Sequence, residues 1–181
     1  MQQITPEKYG YVDITPTGPF EVGSYQSISI TYTAGLYGID DTGGIKVPFR
    51  LANDQTQPQF THPEELGYTT MEVPNHVEAV MSFDSRGNTR PWYKVLQIKL
   101  TKGNLRQGDT IKICLGDQRQ GSKGIRMQTF SEKKFEHRIL IDCFSNQNYQ
   151  QLPNAQFVEV IPGTPFRWVA VLPTKIHCDE P

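Results

Sequence analysis

The sequence predicts an all-β fold, an immunoglobulin-like antiparallel β-sandwich, and three observations carry that expectation. Apolar and polar residues alternate with period two along most of the chain, the pattern of strands that bury one face. Gly, Pro, Asn and Asp cluster between those runs, where turns need a positive or preset φ. No amphipathic segment with a helical period reaches about ten residues, which disfavours a parallel sheet with crossover helices.

The elements follow in order. Tyr25-Gln26-Ser27-Ile28-Ser29-Ile30-Thr31-Tyr32-Thr33 alternates and is rich in β-branched and aromatic residues, so it reads as a half-buried strand. Asp40-Asp41-Thr42-Gly43-Gly44 is a turn in which glycine takes positive φ, leading to a strand over 45–51. Residues 53–67 carry few large apolar side chains and read as a surface excursion, with one short turn at Pro63-Glu64-Glu65-Leu66. Strands over 77–83 and 93–100 flank the turn Ser85-Arg86-Gly87-Asn88. Leu105-Arg106-Gln107-Gly108-Asp109 then leads into a strand over 110–115 whose Ile111, Ile113 and Leu115 share a face, a pattern common in immunoglobulin-like sandwiches. Strands over 135–143 and 157–161 follow. The last, over 166–172, is bracketed by Pro165 and Pro173, which cannot donate into a ladder. Residues 1–181 thus form a single sandwich domain, with 174–181 as a tail or linker.

Bulk properties narrow the function classes. The formal net charge is -1, from 18 basic and 19 acidic residues, so no cationic excess draws the chain to nucleic acid or anionic membrane. The N-terminus lacks the basic and apolar regions of a secretory signal. No apolar run approaches the ~20 residues that cross a bilayer. Cys114, Cys143 and Cys178 are odd in number and widely spaced, unlike a disulfide framework. A cytoplasmic protein is expected, with two strand thiols buried and one on the tail.

Candidate residues for chemistry are few. Gly116 to Phe130 is the densest polar block, holding Asp117, Arg119 and Arg126 among three glycines. Arginine forks hold carboxylates or phosphates, but no phosphate-cradling Gly-Lys-Ser/Thr pattern or helix follows. The alternative is a long hairpin loop tied down by an Asp117–Arg119 or Asp117–Arg126 pair. Arg86, Arg90 and Trp92 form a second group, in which Trp92 either stacks on one of the arginines, faces a ligand or packs in the core. His62, His76, His137 and His177 are scattered, Cys178 beside His177 notwithstanding, and no metal site is expected. No nucleophile elbow occurs. Catalytic residues and cofactors are therefore not expected. The tentative ligand-binding set is Asp117, Arg119, Arg126, Arg90, Trp92 and Arg86.

Several stretches together resemble a known family. They are residues 20–27, 31–35, 37–43, 68–70, the Arg90-Pro91-Trp92 corner, 105–109, 116–130 and 157–173. This set resembles the N-terminal β-sandwich region of an uncharacterised family of bacterial proteins. The C-terminal part of that family looks like a metal-dependent hydrolase of the polymerase-and-histidinol-phosphatase (PHP) type. Its hallmark Gly-Asp-Leu-His-Gly motif does not occur here, so no metal ligand carries over. The resemblance implies a non-catalytic accessory module that docks onto a partner protein or adjoining hydrolase domain. The alternative is a ligand-binding sandwich for a small anionic or carbohydrate-like molecule.

Overall fold

Alternation in the sequence becomes sidedness in the strands. The structure, a computed structural model, describes residues 4–153, 156–165, 167 and 169. A single helical turn, α1 (Pro6–Tyr9), starts on proline and ends at Gly10. The strands begin with β1 (Tyr11–Thr15), β2 (Phe20–Glu21), β3 (Tyr25–Gln26), β4 (Ile28–Thr33) and β5 (Gly44–Phe49). Then come β6 (Thr69–Glu72), β7 (Glu78–Asp84), β8 (Lys94–Lys102), β9 (Thr110–Leu115) and β10 (Ile125–Arg126). The last are β11 (Glu132–His137), β12 (Leu140–Asp142), β13 (Gln150–Gln151) and β14 (Gln156–Ile161).

Two larger sheets face one core. One has the order β1-β4-β9-β6, the other β13-β12-β5-β8-β7, and every pairing within them is antiparallel. In the first, Ile28, Ile30 and Tyr32 lie opposite Leu115, Ile113 and Ile111. In the second, Ile45 and Val47 lie opposite Ile98 and Leu96. All of these are buried in one hydrophobic cluster fed from both sheets, which makes the fold an antiparallel β-sandwich. A three-stranded sheet, β11-β14-β2, and the pair β10-β3 complete the described strands, with β14 and β2 the one parallel pairing among them.

The observed strands differ from the expected ones in instructive ways. The run 25–33 is split at Ser27, so that β3 leaves the sheet of β4 and pairs with β10. The run 135–143 is two strands in two sheets, since β11 pairs with β14 whereas β12 pairs with β5. Phe135, His137, Ile139, Ile141 and Cys143 are all buried across the switch, so the alternation gives no sign of it. The segment 53–67 is not a simple excursion. Asn53 and Gln55 are buried because they satisfy each other: the Asn53 Nδ2 donates to Gln55 Oε1 at 3.1 Å, and the Gln55 N–H donates to Asn53 Oδ1 at 2.8 Å. In the turn after Ile39, Thr42 rather than a glycine takes the left-handed conformation, with φ 67°. Cys143 is buried and Cys114 half-buried, both as free thiols. The expected strand over 166–172 and the tail with His177 and Cys178 lie outside the described residues.

Candidate functional site: an apolar cleft beside Trp92

The six residues singled out by the sequence do not assemble into one site. The carboxylate of Asp117 is buried and receives Arg119 Nη2 at 2.7 Å, Arg119 Nε at 3.0 Å and the Thr70 hydroxyl at 2.7 Å. Arg119 also reaches Glu72 at 3.3 Å. These bonds hold the Asp117 carboxyl well below the usual carboxylate range, with the Arg119 guanidinium the largest cause. This is the loop-tying pair. Arg126 takes a different partner, donating to the Asp54 carbonyl at 3.0 Å. Arg90 lies over the ring of Tyr93 at 5.9 Å, and the backbone N–H of Arg86 donates to Asp84. Neither Arg86 nor Arg90 stacks on Trp92.

Trp92 has other neighbours, which the linear sequence hides. The chain leaves β5 at Arg50, and the Leu51 N–H donates to the Pro91 carbonyl at 2.8 Å, tying this exit to the entry of β8. The guanidinium of Arg50 then lies 5.1 Å from the Trp92 ring centroid, and that of Arg138 lies 4.1 Å away. Trp92 is only 7% exposed yet does not belong to the main hydrophobic cluster. It closes a separate cleft of about 60 Å³, lined by Val47, Phe49, Phe130 and Phe135 among others.

The charges at this cleft are already matched. Arg50 pairs with Glu132 at 2.7 Å, and Arg138 pairs with Glu136 at 2.9 Å. Gln128 is buried and donates to the Phe130 carbonyl at 3.0 Å and to Glu132 at 3.2 Å. His137 stands apart among the lining residues as a buried polar side chain. His137, on β11, is 3% exposed, and neither Nδ1 nor Nε2 has a hydrogen-bond partner among the described residues. Its ring packs against Phe135 at 5.0 Å. Desolvation pushes its pKa down to about 4, so the imidazole is neutral at pH 7, with one N–H donor and one lone-pair acceptor. Sequence reasoning saw His137 only as one of four scattered histidines. The available signal was its place in the register Phe135, His137, Ile139, a histidine on the buried face of an apolar strand run.

Among the described residues that line the cleft, none carries a hydroxyl or thiol, and both glutamates are ion-paired. No group of three His, Cys, Asp or Glu side chains that could hold a metal occurs among the described residues. No described helix is long and apolar enough to cross a membrane.

A second depression, of about 340 Å³, lies against the polar side of the five-stranded sheet. Asp142 organises the loop after β12 by accepting the backbone N–H groups of Phe144, Asn146 and Gln147. The loop delivers Tyr149, whose hydroxyl receives Gln97 Nε2 at 3.3 Å and whose ring lies 4.2 Å from Lys46 Nζ. Lys46 and Lys99 line this groove, and neither is ion-paired among the described residues.

No family model and no curated protein matches the chain. Among solved structures, it is similar to the CBM3a-L domain with flanking linkers from scaffoldin cipA of the Clostridium thermocellum cellulosome. The identity is 11% and the TM-score 0.42, over 86% of this chain and 100% of that one.

Proposed function

We propose that the protein is a binding module that docks onto a partner protein through the Trp92 cleft and its rim, without a reaction of its own. The observation that carries this reading is the make-up of that surface. The apolar cleft is lined by Phe130, 44% exposed, and by Arg50 and Ala52 on either side of Leu51, itself 45% exposed, and self-paired charges surround it. An aromatic and arginine-rich centre with a matched polar rim is the composition of a protein-binding hot spot. On this reading the partner inserts one apolar side chain into the cleft. The resemblance to a module preceding a PHP-type hydrolase supports a metal-dependent hydrolase as that partner. The free, buried thiol of Cys143 supports a reducing, cytoplasmic setting. The non-consecutive strand neighbours of both larger sheets support the immunoglobulin-like description of the sandwich.

Selection of a displayed random-peptide library on the whole protein tests the reading. Enriched peptides should share an aromatic or aliphatic anchor. They should lose about tenfold in affinity, on the order of 1.4 kcal/mol, when Phe130→Asp places a charge at the rim. Peptides that bind the variant as well as the wild type would contradict it.

A second reading rests on the polar groove. Two lysines without ion-pair partners, flanked by the Tyr149 ring and the Gln97 amide, favour a small acidic sugar or similar anion there. Titration with glucuronate should show saturable binding that Lys99→Glu abolishes, while glucose binds neither protein. Equal responses to glucuronate and glucose would count against it.

A further inference from the structure

We infer that the polar groove on the five-stranded sheet takes a polyhydroxylated carboxylate of the sugar-acid type, its charge on the lysines and its hydroxyls on the strained turns beside them. The inference rests on the anion reading of that groove and names what else the ligand must carry. The backbone gives the first observation. Among the described residues, three other than glycine take a left-handed φ, Thr42 at 67°, Ser145 at 54° and Gln147 at 62°, and all three line this groove. That conformation is costly for a residue with a Cβ, most of all for a β-branched one such as Thr42. The fold holds it in place. The Ser145 hydroxyl donates to the Asp41 carbonyl, and the Asp40 N–H donates to the Cys143 carbonyl at 2.9 Å, so the two turns are clamped together. Gly43 lets them close up, since a Cβ there would lie 2.6 Å from the Asp142 carbonyl oxygen. Strain gathered on one concave wall points to a pre-organised ligand site.

The chemistry of the wall selects the ligand. Lys46 and Lys99 supply positive charge, Lys46 beside the Tyr149 ring and Lys99 exposed. The loop offers a small anion no nest of backbone donors, because Asp142 already takes the N–H groups of Phe144, Asn146 and Gln147. That carboxylate lies on the wall itself and repels a compact dianion such as phosphate. The space, about 340 Å³, is many times the ~10–15 Å³ that one water needs, so an inorganic ion would fill little of it. The remaining groups are neutral: the Thr42 and Ser145 hydroxyls, the Gln97 and Gln147 amides and the Tyr149 phenol. Such groups pair with ligand hydroxyls, which donate and accept alike. One charged end and several hydroxyls describe a sugar acid.

The test compares glucuronate with cyclohexanecarboxylate, which keeps the six-membered ring and the charge and lacks the hydroxyls. Inorganic phosphate is the third probe, and NMR shifts of the groove residues follow binding to the full chain. A site built to hydrogen-bond hydroxyls rejects the analogue lacking them. We expect glucuronate to bind at least about tenfold more tightly than either other probe. Thr42→Gly removes the hydroxyl, and glycine takes the left-handed conformation freely. That variant should melt no lower than the wild type and lose about fivefold in glucuronate affinity. The wild-type comparison stands by itself if the variant melts lower. Cyclohexanecarboxylate or phosphate binding as tightly as glucuronate would overturn the hydroxyl inference and leave the anion reading intact. Unchanged glucuronate affinity in a folded Thr42→Gly would also overturn it, because the strained turn would then touch no ligand. Failure of every probe to shift the groove residues would overturn the anion reading together with the inference.

Discussion

At the residue scale, His137 is a polar side chain that the fold buries at a cost. A neutral imidazole buried without a protein partner among the described residues costs the folded state on the order of 1–3 kcal/mol, since its donor and acceptor are matched by water when the chain is unfolded. The same isolation sets the sign of a pH effect. The folded pKa is depressed to about 4, against about 6.5 for an exposed histidine, so between those values the unfolded chain binds the proton and the folded one does not. Stability is therefore unaffected above about pH 6.5 and falls as pH drops towards 4, by on the order of 3 kcal/mol from this residue. Urea denaturation of wild type and His137→Phe at pH 7 and pH 4.5 isolates the effect. The variant should lose markedly less stability on acidification, and parallel losses would show that His137 is not shielded. Asp117 stands at the other extreme, a buried carboxylate whose two oxygens both accept, Oδ1 from the Arg119 backbone N–H and Nε and Oδ2 from Arg119 and the Thr70 hydroxyl. That pairing was legible in the sequence because the two residues are neighbours in one loop. The partners of Trp92 were not, because Arg50 and Arg138 reach it only through the fold.

At the scale of elements, the cleft depends on how the chain returns after β9. Gly116 and Gly124 bracket the 117–123 loop, both with left-handed φ, at 70° and 104°. A Cβ on Gly116 would lie 2.2 Å from the Ile125 nitrogen, a distance that only backbone movement could relieve. This close approach seats β10 on β3 and lets the following residues bring Gln128 and Phe130 to the cleft. Gly116→Ala should cost about 3 kcal/mol, combining a left-handed penalty with a backbone clash. Gly121→Ala, also left-handed at φ 101° but with only the Glu64 side chain 3.6 Å away, should cost about 1 kcal/mol. Chemical denaturation of the two variants checks the contrast, and similar losses would refute the close-packing argument. The glycines themselves stand out in the sequence as turn residues. Which of them touches backbone does not, since that depends on β3, far back in the chain.

At the scale of the whole molecule, alternation made the sandwich legible and left its sheet assignments hidden. Residues 28–33 and 110–115 pair face to face as their patterns suggest, with isoleucines meeting across the ladder. The chain changes sheets between β11 and β12 while keeping the same burial rhythm, so period two cannot mark the crossing. That crossing shapes the cleft, because it carries His137 to its wall and Arg138 to the Trp92 ring. The cleft proposed to bind is thus a product of topology, assembled from the exit of β5, the entry of β8 and the end of β11. The most direct test is a crystal structure of the protein with the tightest-binding selected peptide. The account predicts an aromatic or aliphatic side chain of the peptide seated against Trp92 and Phe130. A peptide bound on another face, with the cleft unchanged, would contradict it.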